Sequence, residues 1–224
     1  MTLVPLLPGV RLNRHPTALH VSSIAPLAVV SSAVVGGELA QTRHIINMGV
    51  HSDYQCGNHI AELHATAAVL GVTEPFVGLL TAARLDRAQV IVEQTEEAAV
   101  AVVLTLGISH PTAAGVTPAA APLKARRPGT INTIIIADGC LPASARVNAV
   151  ITATEAKTLA LIEAGLRAPH GGPASGTGTD AIVIASTERG NRFEYAGPIA
   201  TLGALIGRAV RRAVMQAMAE RQQT

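Results

Sequence analysis

Residues 130–138, TINTIIIAD, constrain the fold more than any other stretch. From Ile134 to Ala137 no polar residue interrupts the apolar run. A strand with one wet face alternates apolar and polar side chains, whereas a run without alternation is covered on both faces. The strand is therefore central, and the rest of the chain must build layers around it. With 224 residues the chain is long enough to do so within one domain. Aromatic residues are only 2% of the sequence against 49% hydrophobic, so Ala, Val, Ile and Leu fill the core. Small Ala and Gly side chains let neighbouring elements approach closely.

Segments 18–24 (ALHVSSI) and 26–35 (PLAVVSSAVV) read as two strands parted by Pro26, the second ended by Gly36 and Gly37. Residues 58–71 read as a helix closed by Gly71. Apolar runs at 76–82, 88–94 and 99–107 follow with short connectors, which favour an antiparallel meander because a parallel crossover needs a dozen or more residues. A Pro- and Ala-rich loop, 108–129, is long enough to cover a site. A helix over 143–166, a strand at 180–186 and a short strand at 192–196 come next. Residues 200–221 carry the clearest helical period, with Leu202, Leu205, Ile206, Ala209, Val210, Ala213, Val214, Ala217 and Met218 on one face. The order predicts an α+β fold. A mostly antiparallel sheet, in one piece or two, is covered by helices and closed by a long C-terminal amphipathic helix. One domain spans 1–224, with 1–17 a peripheral N-terminal segment.

Lys and Arg total 17 against 15 Asp and Glu, too even a balance to argue for nucleic acid, and there are few aromatics to stack bases. No basic leader precedes an apolar run, and no stretch reaches the length of a membrane span. Cys56 and Cys140 stand far apart without a CxxC, as in a reduced cytoplasmic protein. His51, Asp53, Cys56 and His59 have loose metal-like spacing, but no HExxH or CxxC supports them and no metal is assigned.

Three places hold chemistry-bearing residues. In SGTGTD, Ser175, Gly176, Thr177, Gly178, Thr179 and Asp180 precede a strand. A phosphate loop would precede a helix and carry a Lys, so this is either a wall that binds a polar ligand or a turn that needs glycine dihedrals. In the 143–166 helix, Glu155 projects onto the face of Val147, Val150, Ile151, Leu159, Leu161, Ile162 and Leu166, with Lys157 at its edge. A carboxylate on an apolar face either pairs with a cation or works as an acid or base. Thr130 and Asn132 open the central strand, where Asn132 either donates to an oxyanion or satisfies its own turn. No GxSxG elbow points to a triad hydrolase.

Taken together, GTIN (129–132), TATEAK (152–157), GTGTD (176–180) and YAG with its following LG and IG (195–207), preceded by VVSSAVVGG, HIINMGV, VGLLTAA and VLTLGIS, resemble the adenosylcobinamide amidohydrolases, the CbiZ family. The resemblance covers about residues 20–215, and His110 and the loop 113–128 depart from its pattern. It implies hydrolysis of the amide joining the corrin ring to its aminopropanol arm, giving adenosylcobyric acid for corrinoid salvage. The cobalt corrinoid is then the small-molecule substrate, and no cofactor is required. Within that reaction Glu155 is expected to activate water, with Lys157 or Asn132 stabilising the oxyanion. Thr130, Thr177 and Thr179 are alternative nucleophiles. Residues Ser175 to Asp180 would form the substrate-binding wall. A corrinoid-binding protein without catalysis and an amidase for another amide stay open as alternatives. The Gly203-xxx-Gly207 spacing suits either a homo-oligomer or packing on the chain's own sheet.

Overall fold

The structure, a computed structural model, describes residues 2–51, 54, 57–118 and 129–222. Its strands in chain order are β1 (Thr2–Leu7), β2 (Val10–His15), β3 (Ala18–Ser31), β4 (Gln41–Gly49), β5 (Val77–Thr81), β6 (Gln89–Gln94), β7 (Ala99–Leu106), β8 (Pro111–Thr112), β9 (Ile131–Asp138), β10 (Gly176–Thr177) and β11 (Ala181–Ser186). The helices are α1 (His59–Val69), α2 (Ala143–Glu163) and α3 (Thr201–Gln222). Nine strands form one sheet in the order β1-β2-β3-β11-β9-β7-β6, with β4 paired to β3 and β5 to β4; β8 and β10 make a separate ribbon. Among the described strands only β9–β11 and β4–β5 pair in parallel, and each of these pairs is joined through a helix, α2 and α1 respectively. The fold is α+β and mostly antiparallel, as the sequence predicts.

Three apolar clusters show how the sheet is layered. Ile131, Ile135 and Ala137 of β9 pack with α2 and α3. Ile134 and Ile136, on the opposite face, pack with Leu12, Leu19, Val21, Ile45 and Leu79 of the first strands. Ile46 and Met48 on the far side of β4 pack with Leu63 and Ala67 of α1. The sheet thus folds over on itself and is covered by helices on both outer faces. The uninterrupted apolar run of β9 is explained: its odd residues meet helices and its even residues meet the other half of the sheet.

The fold-over depends on β3, which the sequence reads as two strands. It is one bent strand whose register against β4 breaks between Ser22 and Leu27, and Pro26 sits in the break. Proline lacks the N–H a ladder requires and is confined to bulges and edges. The 76–107 meander is only half right. β6 and β7 form an antiparallel hairpin, but β5 pairs in parallel with β4, and the short 82–88 connector crosses between layers. β4 itself lacks a period-2 signal, because both its faces are buried in part. Residues 192–196 form no strand beyond one bridge from Arg192 to Cys140. Residues 2–15, read as a peripheral segment, form an edge hairpin that sends Leu6, Leu7, Val10 and Leu12 into the interlayer core.

The apolar face of α3 packs as its period predicts. Gly203 seats the helix on the Ala196–Gly197 turn, since a Cβ there would overlap the Gly197 carbonyl, and Gly207 faces Thr152 of α2. The GxxxG spacing thus serves contacts within the chain. Among the described residues no helix is long and apolar enough to cross a membrane.

His20 is buried under this architecture, its Nε2 3.1 Å from His44 Nδ1. Burial, and then the neighbouring His44, push its pKa down to about 4. The unfolded chain therefore takes up this proton before the folded one, so the stabilisation is complete above about pH 6.5 and is lost as the pH falls toward 4. Urea unfolding at pH 7 and pH 4.5 should show a loss on the order of 2 kcal/mol. In an NMR titration His20 should stay neutral at pH 5.5; protonation near pH 6.5 would refute the assignment.

Candidate active site

β9 and β11 are parallel, so their first residues lie at the same end of the sheet. α2 leaves the far end of β9 and runs back over it. From Ala143 to Lys157 it rises about 21 Å, which matches the roughly 23 Å spanned by β9. Lys157 therefore returns to the level at which GTIN and SGTGTD begin their strands. Three motifs separate in sequence meet there because of the β-α-β connection.

Asp180 holds them together. Its Oδ1 accepts hydrogen bonds from Thr177 Oγ1 at 2.5 Å, Thr177 N at 3.1 Å and Ile131 N at 3.1 Å. Its Oδ2 accepts from Lys157 Nζ at 2.5 Å. One carboxylate thus ties the loop, the start of β9 and α2. The two charged side chains are 14% and 17% exposed, sheltered yet reachable. Losing one partner of such a pair leaves a poorly solvated charge, which costs about 3–5 kcal/mol when burial is complete.

The glycines of this loop serve different ends from those expected. Neither Gly176 nor Gly178 has a positive φ. A Cβ on Gly176 would overlap Asp180 Oδ2 and stand 3.0 Å from Lys157 Nζ, so glycine is required for space; Gly178 meets nothing within 4 Å. The hydroxyls mostly serve the loop. Thr130 Oγ1 donates to Thr179 O at 2.5 Å and Thr179 Oγ1 to Gly129 O at 3.0 Å. Ser175 Oγ accepts from Ala114 N at 2.9 Å, beside the β8–β10 ribbon. Thr177 alone of the three threonines points its hydroxyl at a carboxylate, and that oxygen also accepts from two backbone N–H groups.

A pocket of about 220 Å³ opens on this cluster, lined by Ile131 and Thr133 of β9, Ala153, Thr154 and Lys157 of α2, and Asp180, Ala181 and Ile182. Lys157 and Asp180 are its ionisable walls. Two expected residues are placed elsewhere. Glu155 is exposed and does not line the pocket. The helical projection put it on a buried face, but α2 lies on the sheet and α3 through Ala145, Ala149, Thr152, Ala153, Ala160 and Leu161. Val147, Ile151, Leu159 and Ile162 point outward, because small side chains allow the closer approach.

Asn132 is 1% exposed and faces the interlayer core. Its Nδ2 donates to Leu80 O and to Asn47 Oδ1, both at 2.8 Å, and Asn47 Nδ2 donates to Thr105 Oγ1 at 3.1 Å. The Leu80 carbonyl can only accept, so it fixes which end of the amide is nitrogen. Both N–H groups are committed inside the protein, and Oδ1 is buried without a partner. Asn132 is thus one end of a polar tie between the sheet's two halves. Asn47 and Thr105 were not singled out from sequence, although a polar side chain inside the apolar strand HIINMGV was the available signal. Among the described residues no cluster of three or more His, Cys, Asp or Glu is placed to hold a metal; Asp53 and Cys56 lie outside the described residues.

The family model for adenosylcobinamide amidohydrolase, CbiZ, matches residues 6–224. The chain belongs to this family. It is 30% identical over 190 residues to an adenosylcobinamide amidohydrolase of Methanosarcina mazei, covering 81% of this chain and 84% of that one. An uncharacterized protein of Methanocaldococcus jannaschii is 39% identical over 92 residues, or 40% of this chain; the match spans about a third of that relative, 36%. Among solved structures, a Burkholderia sp. beta-aminopeptidase aligns over 97% of this chain and 86% of its own at 14% identity, with a TM-score of 0.48. The CbiZ match takes in all four motifs, three of which line or support the Lys157–Asp180 pocket.

Gly176→Ala should force Lys157 and Asp180 apart and lower stability by about 2 kcal/mol or more. Gly178→Ala, with open space around it, should stay within about 1 kcal/mol. Equal denaturant midpoints for the two variants would show that Gly176 is not required for space.

Proposed function

We infer that the protein is an adenosylcobinamide amidohydrolase, a hydrolase of a linear C–N bond that returns cobinamide to corrinoid salvage as adenosylcobyric acid. The family match over nearly the whole chain carries this reading. The corrinoid is the substrate. A pocket of about 220 Å³ is below the usual 300–1,000 Å³ range for drug-sized ligands, so it suits the aminopropanol arm and its amide, with the corrin ring outside.

We propose that Lys157 is the cation beside the scissile carbonyl. Attack by water, which gives up a proton to solvent, turns that carbonyl into a tetrahedral oxyanion. The C–N bond then breaks as the departing aminopropanol nitrogen takes a proton from solvent. A fixed ammonium in a sheltered pocket stabilises the developing charge at little reorganisation cost. Asp180 is its positioning residue: three donors other than the lysine fix the carboxylate, which in turn fixes the lysine. Thr133 and Thr154 offer hydroxyls to the arm from the same walls. Glu155, exposed one position beyond Thr154, reaches the reaction only if the substrate itself extends over the outer face of α2. A general base role for it therefore ranks below the Lys157–Asp180 pair. Ser175–Thr179 and Thr130 support the pocket through the hydrogen bonds of the loop, and Asn132 supports it through the interlayer tie.

Purified protein incubated with adenosylcobinamide should release aminopropanol, read by amine detection and by chromatography of the corrinoid. Lys157→Met should lower kcat by about 100-fold or more while the corrinoid still binds, the size expected for removing one oxyanion stabiliser. Glu155→Gln should keep kcat within about threefold of the parent, less than 1 kcal/mol of barrier. The reverse order of effects would move the chemistry to Glu155 and the outer face of α2. Binding without release of aminopropanol would favour the non-catalytic alternative.

A further inference from the structure

A second pocket, of about 210 Å³, shares no residue with the Lys157 pocket. Arg84 and Arg87 wall it from the connector between β5 and β6, and Arg221 from the last turn of α3; Gly107 and Ser109 form its floor beyond β7. No Asp or Glu is among the described residues that line it. The chain as a whole carries only +2, so three guanidinium groups around one cavity are a local concentration rather than a general basic surface. Arg84 gives its Nε and one Nη2 contact to Asp86, at 3.1 and 2.5 Å, and has other N–H donors to offer. The α3 carboxyl end disfavours an anion by its dipole, and Arg221 lies where it offsets that field.

The floor of this pocket rests against the GTIN motif. Gly107 N donates to Thr130 O at 2.9 Å. A Cβ on Gly129 would stand 2.8 Å from Ser109 N, so the two backbones touch. The pocket's floor is therefore bonded to the segment that starts β9, one residue from the Ile131 N–H that holds Asp180. Planar guanidinium forks with multiple donors fit tetrahedral oxyanions and bind phosphate in pairs.

We propose that the Arg84–Arg87–Arg221 pocket is an oxyanion subsite that takes a phosphate group. The occupant is either free inorganic phosphate or a phosphate ester carried by the aminopropanol side of the substrate. The site itself stands apart from the hydrolytic reading, while the second source rests on it.

Titration of the full-length protein with inorganic phosphate, followed by ³¹P NMR and calorimetry in a phosphate-free buffer at constant ionic strength, tests the subsite. Saturable binding is expected, weakened by about tenfold or more, 1.4 kcal/mol, in Arg84→Gln/Arg221→Gln. No saturable binding in the parent, or equal binding in the double variant, overturns the proposal. Each single variant, checked for an unchanged melting temperature, serves if the double variant does not fold. Adenosylcobinamide hydrolysis in phosphate-free buffer should be unchanged by both substitutions. Because binding is read without turnover, absence of activity in the parent would count against the hydrolytic reading and not against the subsite. Aminopropanol phosphate that binds more tightly than inorganic phosphate and competes with adenosylcobinamide assigns the pocket to the substrate's arm. Equal binding of the two without competition assigns it to free phosphate.

Discussion

The site depends on one carboxylate. Asp180 accepts from the N–H that opens β9, from two groups of its own loop and from a lysine on α2. A carboxylate sheltered from water must be supplied with donors or it becomes costly. Here each donor comes from a segment that would otherwise be free to shift: the loop before β11, the start of β9, and the second half of α2. Satisfying the charge and assembling the pocket are the same event. Gly176 follows from this, because the approach of Asp180 to Lys157 leaves no room for a side chain.

That interaction needs a rigid support, which the folded-over sheet supplies. β9 is covered on one face by α2 and α3 and on the other by the first strands. The bend in β3 that brings the two halves face to face is placed by a proline in a register break. Across the interlayer gap, Asn132, Asn47, Thr105 and the Leu80 carbonyl add a directional tie to a core that is otherwise apolar. Hydrogen bonds in a shielded core must be made in one geometry, so this tie fixes how β4 and β5 sit over β7 and β9, where apolar packing alone would tolerate sliding. The unpartnered Asn132 Oδ1 is the one acceptor in that tie left without a donor among the described residues.

The position of the two pockets follows from the same placement. Both open at the end where β9 and β11 begin and β7 ends, on either side of Gly129–Thr130. One holds a single ion pair in a sheltered wall. The other carries three guanidinium groups, those of Arg84 and Arg221 exposed.

The sequence alone determined the central place of β9, because an unbroken apolar run needs cover on both faces, and the packed face of α3, because large apolar side chains recur at helical spacing there. It also singled out Lys157, Asp180, Thr177 and Gly176, which the fold brings together. Tertiary structure decided the rest. Periodicity placed Glu155 with the large apolar residues of α2, but the alanine face was the one buried, since a helix lies closest where its side chains are smallest. Asn132 looked like a donor at a strand start, yet its facing was set by partners on strands far away in sequence. The parallel pairing of β4 with β5 and the entry of the N-terminal hairpin into the core were likewise invisible locally. Pairing and burial depend on which distant surface arrives, and a local pattern records only that some surface must.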